Sequence, residues 1–185
     1  MNIIEFFQFI KVPVTILHVI AVVFGMGSAL VSDILFSFFA KDKKLNPTEI
    51  STLTILKKIV FYSLILIFIS GIAIFLSNIE KYTHSTKFMA KMTILFVLLI
   101  NGYVLNKAVW PHLLGKKFFI IKKERNMRRI AFVCGAVSVI SWLAVCALGV
   151  LDKLSFSYFF IVSIYLTIIL IGIVTSLIVE KRELN

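Results

Sequence analysis

Charge is scarce in this chain. Only 16% of its 185 residues are Asp, Glu, Lys or Arg, against about 25% in a typical soluble domain. So little polar surface could not cover a water-facing exterior, which excludes an ordinary soluble fold. Acids are scarcer still, with nine Asp and Glu against twenty Lys and Arg. Three histidines and two cysteines form no CxxC pair, no CxxCH haem-attachment motif and no zinc-ligand spacing. Cys134 and Cys146 share one apolar run and would lie about 18 Å apart along a helix, too far for a disulfide. No P-loop, nucleophile triad or pair of carboxylates is present, which argues against hydrolysis and phosphoryl transfer. Internal repeats and low-complexity tracts are also lacking.

What the chain has is apolar length. Hydrophobic residues make up 60% of it and the mean hydropathy is +1.02. Five runs, at about 14–39, 59–77, 88–112, 130–150 and 156–179, are each long enough to cross a bilayer as a helix. The predicted fold is all-α, a single domain over residues 1–185 built as an integral membrane bundle of five transmembrane helices. The Phe-rich residues 1–13 read as an interfacial lead-in, with Pro13 suited to the first turn of the helix that follows. No basic stretch precedes them, so a cleaved signal peptide is not expected. Asn46-Pro47 marks a turn, after which Thr48 or Ser51 would cap a short helix leading into span two. Ser63, Ser70 and Ser77 recur every seven residues and give span two one hydroxyl-bearing side for helix packing. In span five, Tyr158, Tyr165 and Gly172 have the same spacing.

The net charge of +11 does not point to nucleic acid, because the bases cluster in loops between apolar runs. Fifteen of the Lys and Arg fall on one side of the five spans and five on the other. The positive-inside rule then places the N-terminus outside and the C-terminus in the cytoplasm of a plasma (inner) membrane. Residues 113–129 hold seven of these bases around the apolar Phe118–Ile121. That segment serves either as an amphipathic contact with anionic lipid or only as a topology signal. The lipid bilayer is thus the principal partner.

Polar side chains inside the spans are the candidates for function. On a helical wheel of span one, Gly25, Ala29, Ser32 and Asp33 all fall within about 60° of His18. This small, polar face would be turned from lipid, toward other helices or a ligand. At the outer end, His18 could meet Lys91 of span three and His84 of the loop before it. A buried imidazole can ligate haem iron, shuttle protons or hydrogen-bond a neighbour. Lys91, costly at about 2.5–3.5 kcal/mol if held at the helix centre, either joins that site or snorkels out. At the inner end, Asp33 and Lys107 have matching depths. An ion pair between them, with Asn106 and His112 nearby, would be either a register clamp or part of a proton or ion path.

Lys11 and Leu17-His18, followed by Gly25, Gly27 and Ser28, are similar to the first span of the small haem-containing membrane protoporphyrinogen oxidases and of the related copper-resistance D-type membrane proteins. In the oxidases a Lys-Ala-Leu-His opens span one and a Trp-Leu-His-x-Lys opens span three. Here the second place reads Lys87-Phe88-Met89-Ala90-Lys91, which keeps the lysine without the Trp or His. The family's Pro-Arg after span one is replaced by Ser32-Asp33-Ile34. The likeness covers spans one to three. It implies a haem b with His18 as the iron ligand, Gly25 clearing the slot and Lys91 beside the reactive site. The second axial position would fall to His84, Met89, Met92, Lys91 or water, unless a homo-oligomer shares one haem between chains.

Three functions follow as expectations. The first is a haem b protein in electron transfer or oxidation of a small apolar substrate. The second is an ion- or proton-coupled transporter using Asp33 and Lys107. The third is a membrane assembly protein whose polar residues only join helices.

Overall fold

The computed structural model describes residues 2–41, 45–113, 125–151 and 156–184. Among these residues there is no strand, and five helices are long and apolar enough to cross a membrane. The chain runs α1 (Ile3–Phe9), α2 (Lys11–Lys41), α3 (Pro47–Leu76), α4 (Ile79–Thr83), α5 (Thr86–Val104), a π-helical turn (Leu105–Val109), α6 (Trp110–Leu113), α7 (Arg125–Val150) and α8 (Tyr158–Leu184). The expected amphipathic stretch at Phe118–Ile121 lies outside the described residues.

Helix ends follow local chemistry. The side chain of Asn46 accepts a hydrogen bond from Glu49 N at 2.9 Å, and Glu49 accepts one from Asn46 N at 2.8 Å. With Pro47 as the first helical residue, this is a complete capping box. The cap is therefore Asn46, not Thr48 or Ser51. The short helix expected before span two is the first part of one continuous α3, whose 30 residues extend about 45 Å. That exceeds the hydrocarbon thickness of about 30 Å, so the first turns of α3 extend beyond it. Pro13 lies in the first turn of α2. Pro111 has no N–H to donate to the carbonyl of Lys107. The π turn directly before it absorbs that loss, as Trp110 N reaches back to Leu105 O.

The spans form two groups. α2 and α3 pack along their length, α7 packs on α5 and α8, and α2 crosses α7 to join the groups. The hydroxyl side of α3 makes the first contact: Ser63, Ser70 and Ser77 are all buried. Gly25 is where the groups meet. A Cβ there would stand 2.7 Å from Trp142 Cη2 and 3.0 Å from Ser63 Cβ. At the α7–α8 contact, Gly172 lies under Ile140. Tyr165 shares a 2.8 Å hydrogen bond with Ser141, and Tyr158 one of 2.9 Å with Thr93. Outside these seams the large side chains face outward, including Phe24, Ile34, Phe96 and Leu170. At most 33% of any span's most apolar window is buried, as expected where lipid is the solvent.

α3 and α5 make no extended contact. Long side chains bridge α3 to α5 at one end and to the π turn and α6 at the other. Phe75 stacks on Phe88 with centroids 5.3 Å apart. At the other end, Lys57 Nζ lies 3.9 Å over the Trp110 ring and donates to Asn106 Oδ1 at 3.1 Å. Between the bridges the helices part, and the gap leads inward to Asp33.

Candidate functional site

Asp33 projects from α2 toward α7 at the point where α7 has no side chain. Its Oδ1 is 3.3 Å from where a Cβ on Gly135 would stand. Asp33 Oδ2 is buried and has no hydrogen-bond partner among the described residues. The nearby hydroxyl of Ser37 donates to the backbone carbonyl of Asp33, at 2.9 Å, and not to the carboxylate. A carboxyl so placed is costly unless it holds a proton or faces a cation supplied from outside.

Two cavities meet at this residue. The larger, about 730 Å³, reaches from the gap between α3 and α5 to α2 and α7. Its wall is mostly apolar and aromatic, with Phe36, Tyr62, Tyr103, Trp110 and Trp142, while Ser32, Asn101 and Ser138 add a few polar groups. The smaller, about 390 Å³, lies between α2, α7 and α8, where Gly135, Ala136 and Gly172 leave room. Asn101 also ties α5 to α7 by donating to the Cys134 carbonyl at 3.0 Å.

The expected Asp33–Lys107 pair does not form. Lys107 and Asn106 are exposed, and Asn106 takes its hydrogen bond from Lys57. The reason is helix order: α2 lies against α3 and α7, not α5, and equal depth does not make two helices neighbours. Lys57 escaped the sequence reading because residues 40–58 read as a loop, whereas Lys57 lies within α3.

At the other end, His18 Nδ1 and Ser70 Oγ are 2.8 Å apart. Ser70 spends its own proton on the Leu66 carbonyl, so it accepts from His18 Nδ1–H and leaves Nε2 as the basic nitrogen. The half-buried Lys91 is near enough for its charge to act on the imidazole. His84 is exposed at the end of α4. The proposed slot at Gly25 is filled by the Trp142 indole and Ser63. The space that the resemblance gives to a macrocycle at Gly25 is thus occupied by these two side chains.

One charged cluster went unread in the sequence. Glu180 is 3% exposed, with Arg128 Nε 4.0 Å from one carboxylate oxygen and Arg129 Nε 3.7 Å from the other. It fastens the start of α7 to the end of α8. Span five as read from hydropathy ends one residue earlier, and both arginines fall in the basic segment 113–129, which reads as a lipid contact or a topology signal and not as an ion pair. The acid lying a turn inside the helix end was the available signal.

No protein-family model matches the chain, and neither a curated protein nor a solved structure matches it significantly.

Proposed function

We propose that this protein is a membrane carrier for small amphiphilic molecules, with Asp33 as its proton- or ion-coupling residue. The observation that carries the reading is Asp33 itself, one of the residues lining a cavity of about 730 Å³, with a buried carboxylate oxygen that has no hydrogen-bond partner among the described residues. Volumes of about 300–1,000 Å³ suit drug-sized ligands, and a mostly apolar wall with few polar groups is the usual composition of such sites. Intramembrane acids are costly, face the bundle interior or a cavity, and mark proton and ion pathways. Around Asp33, α7 contributes the titratable Cys134 and α3 contributes Lys57, while α8 contributes only the hydroxyls of Thr175 and Ser176. Lys107 drops out of the mechanism. The charge asymmetry supports residence in the inner membrane with the N-terminus outside and the C-terminus inside.

The test is flux. Membrane vesicles holding a proton gradient, followed with a pH-sensitive dye, are challenged separately with cationic, neutral and anionic amphiphiles. At least one class should dissipate the gradient faster with the wild type than with Asp33→Asn at equal protein levels. Asp33→Asn should keep its thermal midpoint, because Oδ2 has no protein partner to lose. If no class separates the two proteins, the carrier reading is wrong.

Haem b on His18 is a second reading with one support, the Nδ1–H anchor at Ser70; second-sphere bonds of this kind orient imidazole ligands. It predicts a Soret band that vanishes in His18→Ala. Colourless protein from cells fed a haem precursor would remove it.

A further inference from the structure

We infer that the ligand of the larger cavity is a lipophilic organic cation, its charged centre against Asp33 and its apolar groups against the aromatic wall. This rests on the carrier reading above and names its substrate class.

Charge argues first. Among the described residues, Asp33 is the only acid lining either cavity, and its Oδ2 has no donor. Of the two lysines on the larger cavity's wall, Lys57 is occupied by Asn106 and Trp110, and Lys58 is exposed at the rim. An anion drawn in past the lysines would end against a carboxylate, whereas a cation would complete it. Repulsion from Lys57 at one end and attraction to Asp33 at the other would also orient a cationic ligand.

Coordination argues next. A hard inorganic cation needs about six oxygen ligands. Among the described residues, no three His, Cys, Asp or Glu side chains gather anywhere to hold a metal ion. An organic cation needs much less: one carboxylate and the faces of aromatic rings, which attract positive charge through their quadrupoles. The wall supplies both.

Access argues last. The exposed side chains of Tyr62, Phe68, Leu99 and Tyr103 line the cavity on the α3 and α5 sides of the gap. The entrance therefore opens toward lipid, the phase into which a lipophilic cation partitions.

The experiment uses two probe ions of the same shape and opposite charge, tetraphenylphosphonium and tetraphenylborate. Both of the chain's tryptophans, Trp110 and Trp142, line this cavity, so intrinsic fluorescence reports occupancy. Each ion is titrated into the purified full-length protein in detergent, as wild type, Asp33→Asn and Asp33→Glu. Partitioning into micelles is common to all three and cancels in the comparison. The cation should quench the wild type at concentrations about thirtyfold lower than Asp33→Asn, the lower end of the loss expected when one partner of a buried charge pair is removed. Asp33→Glu should stay close to the wild type, and tetraphenylborate should gain nothing from the native carboxylate. A cation response equal in wild type and Asp33→Asn, or no response in either, overturns the inference. If neutral or anionic amphiphiles then still show Asp33-dependent flux, the carrier reading survives with another substrate class. If no amphiphile shows such flux, the carrier reading falls independently of the dyes.

Discussion

Two glycines show how much a missing Cβ matters at the residue scale. Gly25 lets Trp142 and Ser63 close over α2, and a Cβ there would sit 2.7 Å from the indole. Trp142 is 2% exposed and is packed closely against α2 at this point. Gly25→Ala should therefore lose about 1–3 kcal/mol of stability through overpacking, read as a lower thermal midpoint in detergent. Gly27, two residues on, has nothing within 4 Å of its would-be Cβ, and Gly27→Ala should leave that midpoint unchanged or higher. Equal effects of the two substitutions would show that the α2–α7 seam is not as close as described. Gly135 plays a different part, since the space it leaves is what admits the Asp33 carboxylate.

Elements are joined here by a few polar fasteners set in apolar seams. Asn101 joins α5 to α7, Tyr165 joins α8 to α7, and Ser70 joins α3 to α2. The charged fastener is Glu180 with Arg128 and Arg129. Glu180→Gln leaves two guanidiniums facing a neutral group, with Arg128 only 7% exposed. Loss of about 1–3 kcal/mol is expected, since a buried acceptor loses its charge while Arg128 keeps another contact. Arg129→Ala should cost under about 1 kcal/mol, because its side chain is 43% exposed and water screens it. Thermal unfolding of the two variants side by side checks the order, and a larger loss in Arg129→Ala would contradict it.

For the whole molecule, the membrane orientation is the quantity to measure. The fifteen-to-five division of Lys and Arg predicts that residue 85 faces outward and residue 117 faces the cytoplasm. Single cysteines are introduced at Ser85 and Lys117 in a background lacking Cys134 and Cys146. An impermeant maleimide on whole cells should label Ser85→Cys alone. Labelling of Lys117→Cys alone would invert the topology and turn the Asp33 half of the cavity toward the outside.

The amino-acid sequence by itself determined the class of object, the number of spans and their approximate limits. Hydropathy is a local sum, and a bilayer responds to it directly. It also showed which side of α3 would pack, since the spacing of Ser63, Ser70 and Ser77 is a helical period. His18, Asp33 and Lys91 stood out because polar groups in an apolar run are costly wherever the run is placed. Tertiary structure alone decided which helices are neighbours. That order put Asp33 against Gly135 and away from Lys107, brought Ser70 to His18, and filled the Gly25 face with Trp142. It also left α3 and α5 apart, which makes the cavity. Apolar helices in lipid meet through shape, by small residues receiving large ones from distant parts of the chain, and that complementarity has no local signature.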